Sequence, residues 1–386
     1  MPLSAQKQLK LDRFIQDIND KSTSFMGYPI STDFDYQQLT ELINYPLNNL
    51  GDPFAKSTWQ VDSREFECEV IEFFAKLFRA PEDDWWGYVT NGSTEANLYA
   101  LYLARELYPK GICYFSKETH YSVAKNLHLL NMPHIMIQSD DKGVIDYDDL
   151  REKLEDNQDL PAIIFSNSGT TMTEAKDDIK KIRIILEELS ISKNYIHSDS
   201  ALCGAINPFL TPRPSFDFED GADSVSLSGH KFIGSPVPCG VIIARKSNVD
   251  RIARSIAYIG CLDTTISGSR NGFTPMVLWH AINCLGIDGI KKRVFHSLSI
   301  AEYTEKKLKN IGIKAWRNPN SITVVFPEVS EFIKNKYQLA TANGQTHIIC
   351  MPNMKTSDID NFILELHKNI KNTFRDEMST PCLIEI

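Results

Sequence analysis

Lys231 stands in GHKFIGSPVPCG (229–240), between a histidine and small residues, at the end of an apolar stretch suited to a buried strand and turn. An unpaired ammonium is costly to bury, so three readings stand side by side: a lysine that snorkels to water, one half of an ion pair, or an amine used in chemistry as a Schiff base with a carbonyl compound. Asp199 is the natural partner, because it closes the apolar run in YIHSDSALCG (195–204), where a carboxylate needs a cation. The interval between the two leaves room for a crossover joining neighbouring strands. Either a direct ion pair or one shared pocket would satisfy both charges.

Two more groups add to this pair. In YVTNGSTEANLYALYLARELY (88–108), Gly92, Ser93 and Thr94 lead from an apolar segment into a helix. Its first amides have no intrahelical acceptor, so amides, hydroxyls and the positive helix end form a phosphate cradle; the same spacing also fits an ordinary capped helix. His120, in FSKETHYSVAKNLHLL, precedes another helix and fits a cap, a hydrogen-bonded core residue or a catalyst. One ligand uses all four features together. Pyridoxal phosphate needs a helix N-terminus for its phosphate, a lysine for its aldehyde, a carboxylate for its ring nitrogen and a flat partner for its ring.

The elements that must position these residues read as α/β. DSREFECEVIEFFAKLFRA (62–80) carries Phe66, Val70, Phe73, Phe74 and Leu77 at helical spacing, whereas PAIIFSNSG, NYIHSDSA and SVSLSGHK are short apolar runs of strand length. Strands separated by helices need crossovers, which predicts a mainly parallel sheet covered on both faces, with ligands gathering at its carboxyl ends. After about residue 283 come a long charged helix, SITVVFP, THIICMPN and a last helix from about Ser357. The predicted division is an irregular, Pro/Gly-punctuated N-terminal segment at 1–50, a large cofactor-binding domain at 51–283 and a small α+β domain at 284–386.

Composition narrows the function classes. With 386 residues, 42% hydrophobic and 24% charged, the chain can bury a large core, and no apolar run is long enough to span a bilayer. The net charge of -9, without a basic stripe, argues against nucleic acid. The charged N-terminus does not read as a signal peptide, which predicts a cytoplasmic protein. Eight scattered cysteines include no CxxC pair or His/Cys cluster, so reduced thiols and no metal are expected.

Five motifs in order, VTNGSTEAN, THYSVAK, SNSGTTMTEAKDD, HSDSALCG and GHKFIGSPVPCG, resemble the pyridoxal-phosphate-dependent group II amino-acid decarboxylases, particularly the short bacterial histidine decarboxylases and the plant serine decarboxylases. The resemblance runs from about Gly27 to Met351. It implies the fold type I, aminotransferase-like architecture and a homodimer with active sites at the subunit interface. It also implies Lys231 as the cofactor's lysine, His230 as its phosphate-side neighbour, Ser93 and Thr94 as the phosphate loop, and Asp199 as the ring-nitrogen partner. His120 then stacks on the ring and constrains the substrate, Thr170 and Ala201 lie beside the ring, and Ser228 is another cofactor contact.

The chain departs from the family pattern in three places. Ser200 adds a hydroxyl where alanine or glycine usually follows the aspartate, and Phe273 stands where relatives commonly have histidine. No long loop with a tyrosine proton donor is present, which leaves Tyr258 as a replacement or as a core or interface residue. For substrate, GYPISTDFDY and THYSVAK resemble the histidine branch, while NNLGDPF and SREFE resemble the serine branch. Decarboxylation of L-histidine to histamine is the first expectation and L-serine to ethanolamine the second. An aminotransferase ranks behind both, because the motif order favours decarboxylation.

Overall fold

The structure is a computed structural model that describes residues 2–22, 24–256 and 261–379. The described chain divides into two compact units. One comprises Ile30–His296 with Met351–Asn353; the other comprises the residues before Ile30, Ser297–Cys350 and those from Met354 onward. The boundary at 296/297 falls inside one helix, further along than the division at 283/284 read from the sequence.

In the larger unit a short strand β1 (Asn48–Leu50) precedes the main sheet of β2 (Trp86–Thr90), β3 (Ile112–Ser116), β4 (His134–Ile137), β5 (Ala162–Asn167), β6 (Asn194–Asp199), β7 (Ser224–Ser228) and β8 (Gly240–Ala244). Their spatial order is β2-β8-β7-β6-β5-β3-β4. All neighbours are parallel except β8, which runs antiparallel to both β2 and β7. The mainly parallel sheet expected from the alternation is therefore present, with one reversed strand.

Side-chain alternation explains why these strands are buried on both sides. Trp86, Tyr88, Cys113, Phe115, Ile163, Phe165 and Tyr195 share one cluster with Ala96, Tyr99, Ala100 and Leu103 of the Ser93–Leu107 helix and with Val123 and Leu127 of the Ser122–Leu129 helix. The opposite face meets the Arg64–Leu77 helix, whose Ile71 lies against Gly87. That helix buries Val70, Ile71, Phe74 and Ala75, whereas Phe66, Phe73 and Leu77 are only partly buried, so its inward stripe is rotated from the one read in the sequence.

The smaller unit carries β12 (Thr323–Pro327), β13 (Thr341–Ala342) and β14 (Gln345–Ile349) in the antiparallel order β12-β14-β13; β9 (Arg254–Ile256), β10 (Cys261–Asp263) and β11 (Ser269–Asn271) precede them in the chain. Its core joins Val324, Phe326 and Ile348 to Ile300, Leu308, Ile359 and Phe362 on helices. Met26 belongs to this unit: its amide donates to the Tyr337 carbonyl and its carbonyl accepts from the Ile349 amide, both at 2.9 Å. The segment 1–50, read as irregular, in fact begins with the Ala5–Lys21 helix, which has no buried residue and exposes Leu9, Leu11, Phe14, Ile15 and Ile18. The Phe273–Asn310 helix supplies residues to both units and is interrupted at Gly286, where a φ of 60° suits a residue without a Cβ.

A buried ion pair ties the front of the larger unit together. Glu67 and Arg270 are paired and almost inaccessible to solvent. Glu67 also accepts from Asn49 Nδ2 (2.7 Å) and the Val89 amide (2.9 Å), and Arg270 donates to the Gly51 carbonyl (3.0 Å). One contact set thus joins the Arg64–Leu77 helix, β2 and the antiparallel pair β1–β11. Arg270→Met leaves a carboxylate without its counter-charge and is expected to cost about 3–5 kcal/mol of stability in denaturant unfolding. Glu67→Gln in the same chain should recover much of that loss.

Candidate active site

The site grows from the register of three parallel strands. Asn167 of β5 lies opposite Asp199 of β6, and Asp199 lies opposite Ser226 of β7, so the carboxyl ends of the three strands finish together. The chain beyond those ends carries Thr170, Ala201 and Lys231. Asp199 is buried and held from three sides. Its Oδ2 accepts from Asn97 Nδ2 (2.8 Å), while its Oδ1 accepts from the Ala201 amide (3.1 Å) and lies 3.5 Å from Ser226 Oγ.

Lys231 sits in one helical turn, Gly229–Ile233, whose ladder is broken at the lysine itself (φ −86°, ψ −106°) and closed by Gly234 at φ 94°. Its amine makes no hydrogen bond or ion pair among the described residues, so the direct pairing with Asp199 is not formed. Burial lowers the lysine's pKa, and Asp199, then Cys203, oppose that shift electrostatically. The amine is therefore biased toward its neutral, nucleophilic form while remaining within electrostatic reach of the carboxylate.

The phosphate-loop residues behave differently from a simple cap. Gly92 occupies the N-cap position at φ 136°, and neither Ser93 nor Thr94 caps the helix with its side chain. Ser93 Oγ instead meets Ser228 Oγ at 2.6 Å, while the amides of Ser93 and Thr94 find no acceptor among the described residues. His230, next to the lysine, places Nδ1 2.9 Å from the Cys239 carbonyl oxygen, and burial lowers its pKa.

His120 is half-buried, with Nδ1 2.8 Å from Ser122 Oγ and 3.3 Å from the Ser122 amide. Two donors facing Nδ1 leave the ring proton on Nε2. Its pKa is lowered, first by burial; Asp199 opposes the shift and Lys231 adds to it, which brings these three groups into one electrostatic neighbourhood. Thr170 is buried on the loop after β5, and its Oγ1 meets Thr173 Oγ1 and the Ala175 amide at 2.9 Å. Ala201 links two site residues, receiving the Ser228 amide on its carbonyl (3.0 Å). The Ser200 hydroxyl pairs with Ser198 Oγ (3.1 Å) rather than with any of these residues, and Phe273 packs in an apolar cluster with Leu39, Met276 and Val277. Tyr258 lies outside the described residues.

Residues that the motif reading passed over support Asp199 from behind. Tyr195 OH donates to Ser224 Oγ (2.9 Å), Ser224 Oγ lies 2.8 Å from His197 Nδ1, and His197 Nε2 lies 2.9 Å from Asn97 Oδ1. Asn97 then donates its amide to Asp199. A single direction of donation runs down this chain when the buried His197 is neutral with its proton on Nε2. The signal was available: His197 is two residues before Asp199 on the same strand face, and Asn97 is one helical turn after Ser93.

Burial pushes His197 down to about 4 from an ordinary value of 6.5. The folded state resists a proton that the unfolded chain accepts, so its contribution is complete above pH 6.5 and is lost as pH falls from 6.5 to about 4. Buried Asp177, raised to about 6, shifts the total the other way over the same window, so the His197 loss, on the order of 3 kcal/mol, is read in urea unfolding of the cofactor-free protein as the difference between wild type and His197→Gln. The variant should therefore gain stability relative to wild type as pH falls from 6.5 to about 4.

The donor set fits pyridoxal phosphate: an unpaired, half-buried amine of lowered pKa, two free amides beside paired hydroxyls, and a carboxylate fixed by side-chain and backbone donors. The chain matches the pyridoxal-dependent decarboxylase conserved domain over residues 58–326. It is 50% identical over 361 residues to a histidine decarboxylase of Mesorhizobium japonicum, covering 94% of this chain and 98% of that protein. A histidine decarboxylase of Morganella morganii is 45% identical over 366 residues, with 94% and 97% covered. Among solved structures, L-methionine decarboxylase from Streptomyces sp. 590 superposes with a TM-score of 0.88 at 24% identity over 95% of each chain. Glutamate decarboxylase of Lactobacillus brevis gives 0.82 at 18% identity, over 96% of this chain and 93% of that one. These likenesses confirm the fold type I expectation, and the chain belongs to the pyridoxal-dependent decarboxylase family as a carboxy-lyase that works with pyridoxal 5'-phosphate.

Proposed function

We propose that this enzyme decarboxylates L-histidine to histamine and carbon dioxide. The observation that carries the substrate is the 50% identity to a histidine decarboxylase along 94% of the chain and nearly all of the relative. Bound pyridoxal phosphate supplies the electron-withdrawing ring that takes up the electron pair left when the bond from Cα to the carboxylate breaks.

The chain's own groups divide the remaining work. Lys231 would hold the cofactor covalently through an amine that burial keeps toward the neutral form. Asp199, aimed by Asn97 and the Ala201 amide, offers its carboxylate to the ring nitrogen. Ser93, Thr94, Ser228 and His230 would hold the phosphate with free amides, two facing hydroxyls and a ring. His120 would present its imidazole to the cofactor ring and constrain the substrate carboxylate; the Ser122 contacts fix that imidazole's orientation. Ala201 would lie beside the ring through its amide on Asp199, and Thr170 would do so on the loop after β5.

The test is a panel of single amino acids assayed for carbon dioxide and amine. Histamine is the expected main product; ethanolamine from serine would replace the substrate reading, and amino transfer to an added keto acid without carbon dioxide would overturn it. Asp199→Asn should still bind cofactor but slow single-turnover decarboxylation by about a hundredfold or more, a loss of ~2.7 kcal/mol or more of transition-state stabilisation.

The functional unit is proposed to be a homodimer. The unburied Ala5–Lys21 helix exposes Leu11, Phe14, Ile15 and Ile18 along one face, which suits packing against a second copy. Light scattering should give twice the 43.8 kDa chain mass. A fully active monomer would exclude the dimer.

A further inference from the structure

The turn carrying Lys231 is tied down by three groups distant from it in sequence. The Ser31 amide donates to the Lys231 carbonyl (3.3 Å), Arg293 Nη2 lies 2.9 Å from the Phe232 carbonyl oxygen, and Tyr36 OH donates to the Gly234 carbonyl (3.2 Å). Arg293 connects these ties. The same Nη2 is 2.8 Å from Ser31 Oγ and 2.9 Å from Asp33 Oδ1, Ser31 Oγ donates to Asp33 Oδ1 (2.5 Å), and the guanidinium lies over the Phe232 ring. All of these residues belong to the larger unit.

The need for outside donors follows from the backbone. In a regular helix each carbonyl accepts from a later amide, but here the helical path breaks at Lys231 and reverses at Gly234, so the carbonyls between must be satisfied from elsewhere. Side-chain packing does not fix the donors by itself, because a cavity of about 280 Å³ lined by Asp33, Tyr36, Ile233, His280, Cys284 and Arg293 adjoins them. A lysine side chain has four rotatable bonds, so the place its amine can reach is set by the backbone from which it starts.

We propose that Arg293 is a positioning residue for Lys231: through the Phe232 carbonyl, and together with Ser31 and Tyr36, it fixes the turn from which the amine reaches the cofactor. The inference rests on Lys231 being the cofactor's lysine. The groups that act electrostatically on that amine, Asp199 and Cys203, lie elsewhere in the site and are left intact when Arg293 is changed.

The holoenzyme and its Arg293→Met, Arg293→Lys and Asp33→Asn variants provide the test, with Lys292→Met as an exposed-charge control on the same helix. The readouts are the dissociation constant for pyridoxal phosphate, the pH midpoint of the bound cofactor's visible absorbance and the melting temperature. Arg293→Met should weaken cofactor binding about tenfold, equivalent to ~1.4 kcal/mol, and move the midpoint by about half a unit or more. Arg293→Lys should fall between Met and wild type, and Lys292→Met should match wild type. A lower melting temperature in Arg293→Met with wild-type affinity and midpoint would overturn the proposal. If Arg293→Met does not fold, Asp33→Asn carries the test: a shifted midpoint supports the positioning role and a wild-type midpoint overturns it. Borohydride reduction and peptide mapping separate the two readings. A label on a lysine other than Lys231 removes the premise and this proposal with it, whereas a label on Lys231 with unchanged affinity and midpoint overturns the role of Arg293 alone.

Discussion

The hydrogen bonds that hold Asp199 at the end of β6 determine where every other group of the site has to be. A buried carboxylate is tolerable only when its oxygens are satisfied, and here the satisfying groups come from a neighbouring helix, the following loop and the adjacent strand. Asn97 can reach Asp199 only because the Ser93–Leu107 helix packs across β6, β7 and β8. That same packing sets the helix N-terminus, with its free amides, beside the end of β7 and Ser228. One buried acid thus couples sheet register, helix placement and the phosphate end of the site.

The lysine is treated in the opposite way. Asp199 has several donors, whereas the Lys231 amine has no hydrogen-bond or ion-pair partner among the described residues. Desolvation disfavours its charged form, and the nearby carboxylate partly restores it. An amine held in this balance is more reactive than a surface lysine but keeps an electrostatic link to its neighbour. The backbone around it is over-determined by comparison, with outside donors on the carbonyls of Lys231, Phe232 and Gly234. Reactivity at the side chain and rigidity at the backbone are supplied by different residues.

Charge is handled similarly away from the site. Glu67 and Arg270 are buried as a pair that bridges a helix, the main sheet and a two-stranded ribbon. Trp86 and Thr264 both donate to Asp52, so the NNLGDPF segment is anchored to the sheet by a second buried carboxylate. Each of these acids joins segments that are remote in sequence. Apolar packing fills the layers, and a few satisfied charges fix which segments meet.

Much of the fold and the main chemical groups were legible in the sequence. The alternation of short apolar runs with helical spacing specified β5, β6 and β7 and the crossovers between them, because both patterns are local consequences of backbone geometry. GHK, HSDSA and NGST likewise marked Lys231, Asp199 and the phosphate loop, since a charge or a free helix end beside an apolar run is a local anomaly. The Ala5–Lys21 helix was legible too, since Leu11, Phe14, Ile15 and Ile18 stand at helical spacing, but the reading of 1–50 as irregular passed it over, whereas the rotated stripe of the Arg64–Leu77 helix could be settled only by what packs against it. Tertiary structure alone decided that Lys231 and Asp199 do not form an ion pair, that Ser93 meets Ser228 instead of capping its helix, and that Ser31 and Arg293 reach the turn carrying Lys231. Those outcomes depend on distances between segments far apart in the chain, and such distances are fixed only when the sheet, its covering helices and their buried polar groups assemble together.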